Sequence, residues 1–179
     1  MRCRFRRYLF SMMLVGAYAA GHAQRTDLRL LAVLGSWERQ DESSRFEVTA
    51  RDTTNANNVI HVPCSTRGKC RLNLPLDHVY RVDLSGTRHV PKHVILDLNG
   101  PTIKERKWGY RMRFAVKLMP RLDSVDYSIC ERPLGYSHFE KKENQFTWDE
   151  RYTHELTPYY ETMQNAYEGR RRKLVTAKP

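Results

Sequence analysis

Cysteine is scarce in this 179-residue chain, with four in all, and carboxylates are outnumbered, 20 Asp and Glu against 31 Lys and Arg. Nowhere do His and Cys recur at zinc-ligand spacing, which argues against a structural zinc fold. Phosphate-cradling glycine loops are absent, as is a small-x-Ser-x-Gly elbow, so neither nucleotide binding nor a serine hydrolase is indicated. No internal repeat occurs, and no segment before Pro120 has convincing helical periodicity. One apolar run stands near the start, and no second is long enough to cross a bilayer.

That run belongs to an expected export signal. Arg2, Arg4, Arg6 and Arg7 give a cationic start, Tyr8 to Ala20 an apolar core shorter than the ~20 residues of a membrane span, and Gly21-His22-Ala23 the small residues a signal peptidase reads. Cleavage is expected after Ala23. With no cysteine directly after the core, a lipoprotein anchor is not expected. The formal charge of +11 includes the four leader arginines, and the excess that remains suggests anionic company.

Cys3 leaves with the leader, so Cys64, Cys70 and Cys130 remain, enough for at most one bridge. Cys64 and Cys70 flank a turn-like stretch, Ser65-Thr66-Arg67-Gly68-Lys69, and are candidates to pair across a hairpin. The alternative is that Cys70 is a small apolar strand residue. Cys130 has no obvious mate.

The body of the chain alternates with period 2. The stretch from Val79 to Leu98 sets the pattern, with Tyr80, Val82 and Leu84 on one face, a glycine-centred turn, then Val94, Leu96 and Leu98. Leu28 to Leu34, Phe46 to Ala50, Val59 to Val62, Leu72 to Leu74 and Met112 to Leu118 supply further strands, closed by turn residues or by Pro63, Pro75 and Pro120. These seven short strands predict a mainly β fold, an antiparallel two-sheet sandwich over residues 24–120. Residues 121–148 are expected to form an extended, aromatic-rich wrap, and residues 149–179 a helix with a basic end. Thr157-Pro158 is a capping hydroxyl with proline at the first helical position, and Tyr152 and Leu156 form a shorter turn before it. Tyr159, Met163 and Tyr167 then share one helix face, either a partner-binding ridge or a face packed on its own domain.

Tyr80-Arg81-Val82-Asp83-Leu84-Ser85-Gly86 with Val94-Ile95-Leu96-Asp97, preceded by Gly68-Lys69-Cys70-Arg71-Leu72 and followed by Cys130-Glu131-Arg132-Pro133-Leu134 and Phe146-Thr147-Trp148-Asp149, resembles the carboxypeptidase-regulatory, transthyretin-like sandwich of secreted envelope proteins in the Bacteroidetes. The first strand departs from that pattern, because Leu34-Gly35-Ser36 only approximates its glycine-rich start. The resemblance implies a transthyretin-like or Ig-like fold and a non-catalytic accessory role, and it carries over no site residue.

Candidate chemistry is sparse. His89 and His93 lie about 13 Å apart along an extended chain and cannot share one ion. They are expected as solvated turn and strand-face side chains. Cys130 lacks an activating base nearby in sequence. No catalytic, metal or cofactor site is assigned. The basic cluster Arg170, Arg171, Arg172 and Lys173 could dock on anionic headgroups. Nucleic acid is not expected as a partner, on the ground that the chain is exported and its outward strand faces mix cations with acids. The leading expectation is an exported envelope module, periplasmic or at the outer surface, that binds an envelope protein or an anionic envelope surface. The alternatives are a hydrolase or transferase whose site sequence does not reveal, and a carrier of small apolar ligands between the sheets. That carrier conflicts with the large side chains Tyr80, Met112 and Phe114 expected to fill the interior.

Overall fold

The computed structural model describes residues 27–37 and 45–176. The expected leader and its expected cleavage site fall outside the described residues, as do the last three residues. Nine strands and a long helix follow in order: β1 (Asp27–Ser36), β2 (Phe46–Asp52), β3 (Val59–Pro63), β4 (Lys69–Pro75), β5 (Val79–Gly86), β6 (Lys92–Asp97), β7 (Tyr110–Leu118), β8 (Tyr136–Glu140), β9 (Gln145–Trp148) and α1 (Glu150–Thr176). Two sheets form, one of three strands in the order β4-β1-β7 and one of six in the order β3-β2-β5-β6-β8-β9.

The expectation of seven antiparallel strands is corrected in two ways. Segment 121–148 is not a plain wrap, since it contributes the hairpin β8-β9, which extends the larger sheet by two strands. The pairings β1·β7 and β6·β8 are parallel. Both have the same physical origin. After β6 the chain crosses through residues 98–109 to the other sheet, and after β7 it returns through residues 119–135. Long crossovers of this kind allow a strand to enter alongside a parallel partner, which a tight hairpin cannot do.

The expected buried faces are the ones observed. Leu28, Leu30, Ala32 and Leu34 of β1 pack with Val48 and Ala50 of β2, Tyr80, Val82 and Leu84 of β5, and Leu96 of β6, all nearly inaccessible to water. Alternation with polar residues places each of these on the inner face of its strand. Cys64 and Cys70 are bridged, with Cα atoms 4.4 Å apart, and tie the end of β3 to β4 across the two sheets. Gly68 makes this corner possible. Its φ is 70°, and a Cβ there would lie 1.8 Å from the Leu34 carbonyl oxygen. The Leu34 N–H donates to the Gly68 carbonyl at 2.8 Å, so the loop is sewn to β1.

Helix α1 begins earlier than Thr157-Pro158. Asp149 caps it, its Oδ1 accepting from the Tyr152 N–H at 2.9 Å, so the helix starts at Glu150 and continues through Pro158. The helix lies along one open side of the sandwich. Its buried face meets a second apolar cluster of Val90, Met119, Cys130, Met163 and Tyr167.

Candidate functional site

The side chains pointing away from the core on β4, β1 and β7 are dominated by one charge. Register places Asn73, Arg29 and Arg111 in one row across the three strands, Arg71, Leu31 and Arg113 in the next, Lys69, Val33 and Ala115 in a third, and Gly35 beside Lys117 in a fourth. Neighbouring strands stand about 4.8 Å apart and alternate residues on one strand about 6.7 Å apart, so these groups form a dense lattice. Six cations therefore share one face, and Asp27 at its end is the single acid on it. No ion pair to another described residue involves any of the six. Between Arg29, Arg71, Arg111 and Arg113 the surface dips into a depression of about 460 Å³.

The outward face of the six-stranded sheet is different. There Arg51 and Arg81 both pair with Asp83, the latter at 2.8 Å, and His61 lies 3.5 Å from Glu47. The expectation that outward strand faces mix cations with acids holds for this sheet and is corrected for the smaller one. The sequence signal lay in Arg111, Arg113 and Lys117, alternating on the last expected strand. What could not be read was that β1 and β4 would bring Arg29, Lys69 and Arg71 alongside.

The residues singled out from sequence fall elsewhere. Arg170, Arg171, Arg172 and Lys173 occupy the last turns of α1, with Arg172 3.5 Å from Glu168. Tyr159, Met163 and Tyr167 do not form one exposed ridge, because Met163 and Tyr167 are buried in the second apolar cluster. Tyr159 alone is exposed, and the Arg132 guanidinium lies 5.7 Å from its ring centre. His93 is buried and not solvated, since Leu134 folds over β6 and donates its N–H to the His93 carbonyl at 2.7 Å. Burial lowers the pKa of the His93 imidazole. His89 bridges two segments through Thr87 O at 2.7 Å and Ser36 Oγ at 3.0 Å. Among the described residues no cluster of His, Cys, Asp and Glu is arranged to hold a metal ion.

A second feature is buried beside α1. Lys92 is 6% exposed, its Nζ donates to the Lys117 carbonyl at 3.3 Å and lies 5.3 Å from the centre of the Tyr160 ring. Burial pulls the pKa of this ammonium down, while the neighbouring Cys130 thiol acts the other way. Burial in turn raises the Cys130 and Tyr160 pKa values, so the thiol stays protonated and is a poor nucleophile. Cys130 Sγ donates to Met163 Sδ at 3.6 Å. The Tyr160 hydroxyl, beside that thiol, is buried without a hydrogen bond of normal geometry.

Elsewhere an apolar cleft of about 470 Å³ opens between the sheets, walled by Val94, Phe114, Val116, Leu134 and Trp148 and by Glu150, Thr153, His154 and Thr157 of the first turns of α1. Tyr80 and Met112 fill the interior as expected, but Phe114 is only half-buried and lines open space. The interior is therefore incompletely filled at this end.

No protein-family model and no curated protein matches the chain. Among solved structures, the Bacillus anthracis TIE protein aligns over 57% of this chain at 11% identity with a TM-score of 0.39. The aligned part is 20% of that protein's length. Among the described residues no helix is long and apolar enough to cross a membrane.

Proposed function

We infer that this is an exported, non-catalytic module that docks on an anionic phospholipid surface through the outer face of β4-β1-β7. One observation carries the reading: six Arg and Lys side chains on one sheet face, none in an ion pair with another described residue, with Asp27 as the single described acid on that face. A pleated three-stranded face is flat enough for all six to meet a planar surface together. Each cation at an anionic membrane contributes about 1 kcal/mol, so six acting together give a binding energy of several kcal/mol. Half-buried Leu31 and Val33 between the rows give the face an apolar centre that suits the boundary between headgroups and acyl chains.

The test is co-sedimentation with phosphatidylglycerol-rich vesicles at low and high salt. Binding is expected at low salt, is lost at high salt, and falls at least tenfold in the double substitution R111E/R113E. A chain stopped at Glu168 is expected to bind nearly as well as the complete one. Binding that follows the Arg170 to Lys173 cluster and ignores the sheet would overturn the assignment, as would tighter retention on duplex DNA than on vesicles at the same salt.

A further inference from the structure

Four of the six cations on the outer face of β4-β1-β7 surround one position on the central strand. Leu31 stands directly opposite Arg71 of β4 and Arg113 of β7, and one row away Arg29 is flanked by Asn73 and Arg111. Two strand spacings put the Cα atoms of Arg71 and Arg113 about 9.6 Å apart, with the shorter leucine between them. The four arginines are exposed and Leu31 is half-buried, so the long side chains form a rim and the leucine a floor. These residues line the depression of about 460 Å³, a volume within the range of small-molecule sites, and no acid lines it. Lys69 and Lys117 share the face but lie outside the depression.

The arrangement has a cost to the fold. Arg29 and Arg111 are register partners, and like charges directly opposite each other weaken a sheet. An anion shared between them offsets that repulsion, and the donors indicate its chemistry. A guanidinium is a planar fork that can meet two oxygens of one phosphoryl group at once, whereas an ammonium acts as a point charge. A phosphodiester such as phosphatidylglycerol offers two free oxygens and one charge. A phosphomonoester offers three free oxygens and about 1.5 to 2 negative charges near neutrality, a closer match to four guanidinium groups. We propose that the depression is a headgroup site for a lipid phosphomonoester of the phosphatidic acid type. Its phosphoryl group sits among Arg29, Arg71, Arg111 and Arg113, with the Asn73 amide as a further donor. The site rests on the reading that this face meets a phospholipid surface, and it adds a headgroup preference that a uniform field of charge would not give.

The experiment has two arms, both with the full chain at about pH 8, where the phosphomonoester is close to doubly charged. In the first, the chain is co-sedimented with phosphatidylcholine vesicles carrying either phosphatidic acid or phosphatidylglycerol, adjusted to equal zeta potential. Binding to phosphatidic acid is expected to be at least tenfold tighter. In the second, calorimetric titration with water-soluble dihexanoyl phosphatidic acid, dihexanoyl phosphatidylglycerol and inorganic phosphate is expected to place the first ligand at least tenfold ahead of the other two. The quadruple substitution R29K/R71K/R111K/R113K keeps every positive charge at exposed positions. It is expected to bind phosphatidylglycerol vesicles within twofold of the unaltered chain and to lose the preference for phosphatidic acid. Should that variant fail to fold, Leu31→Trp raises the floor of the depression without touching a charge and is expected to abolish the preference in the soluble titration. Equal binding to both kinds of vesicle would overturn the phosphomonoester site and leave docking on anionic lipid standing, whereas binding to neither would remove both. A preference that survives the lysine substitutions or Leu31→Trp would also overturn the site. Inorganic phosphate binding as tightly as dihexanoyl phosphatidic acid would do the same, by assigning the depression to a free phosphate.

Discussion

Asp52, at the end of β2, shows how a single side chain can hold a corner of the fold. Its Oδ1 accepts from the Thr54 N–H at 2.9 Å and the Thr54 hydroxyl at 2.7 Å, and its Oδ2 accepts from Asn58 Nδ2 at 3.4 Å. His78 Nδ1, in the β4-β5 loop, lies 2.7 Å from the same Oδ2. The two Thr54 hydrogen bonds are the largest influence on the carboxyl and hold its pKa at about 2, below the ordinary 3.8. A carboxyl with a lowered folded pKa stabilises the fold fully above the unfolded value, and this contribution is lost as pH falls toward the folded one. Stability that depends on Asp52 is therefore present above pH 3.8 and disappears on acidification toward about 2. Denaturant midpoints of the unaltered protein and Asp52→Asn, measured from pH 6 downward, are expected to differ most above that window and to converge within it. A difference that stays constant with pH would show that Asp52 acts through packing alone.

Helix α1 carries a conflict between local rules that the structure settles. Thr157-Pro158 has the form of a helix start, yet the helix has already run for two turns when it reaches them. The better cap is Asp149, whose carboxylate is followed by residues able to coil without interruption. Pro158 then sits inside the helix, where it cannot donate to the His154 carbonyl and crowds the preceding turn. It persists because the helix is held by Leu156, Met163 and Tyr167, all buried against the sandwich. Pro158→Ala is expected to stabilise the protein by about 1–3 kcal/mol, read as a higher thermal midpoint. A lower midpoint would mean that the proline ring itself is needed to fit the helix to the sheets. The seven strands up to β7 were legible because each alternates cleanly and ends in a turn residue. The hairpin β8-β9 was not, because it is four or five residues long per strand, and its aromatics Tyr136, Phe139, Phe146 and Trp148 make edge contacts in several directions. Its place in the sheet is fixed by a parallel pairing with β6, some forty residues earlier, which no local pattern encodes.

At the level of the whole molecule the two sheet faces divide the charge unequally, a property of strand order and not of composition. Arg29 and Arg111 are more than eighty positions apart in sequence and adjacent in the sheet, whereas Asp83 joins the other sheet and is shared by Arg51 and Arg81 there. Sequence gave the sign of the net charge and left its placement open. Much the same is true of the cleft, whose walls come from β6, β7, β9, α1 and the loop at Leu134. The polarity of the molecule makes a prediction that separates docking by the sheet from docking by the helix end. Lys69 and Lys117 lie on the cationic face, Lys141 and Lys142 in the β8-β9 turn at the edge of the other sheet, and Lys173 in the last turn of α1. Amine acetylation followed by peptide mass mapping, with and without phosphatidylglycerol vesicles, is expected to show at least threefold protection of Lys69 and Lys117. Lys141, Lys142 and Lys173 are expected to react unchanged. Protection confined to Lys173 would assign the contact to the helix end, where the cations are fewer and Arg172 is shared with Glu168. The larger lattice should dominate because attraction to a charged plane grows with the number of cations within a Debye length of it, about 8 Å at physiological salt, and a flat face brings all six within that distance at once.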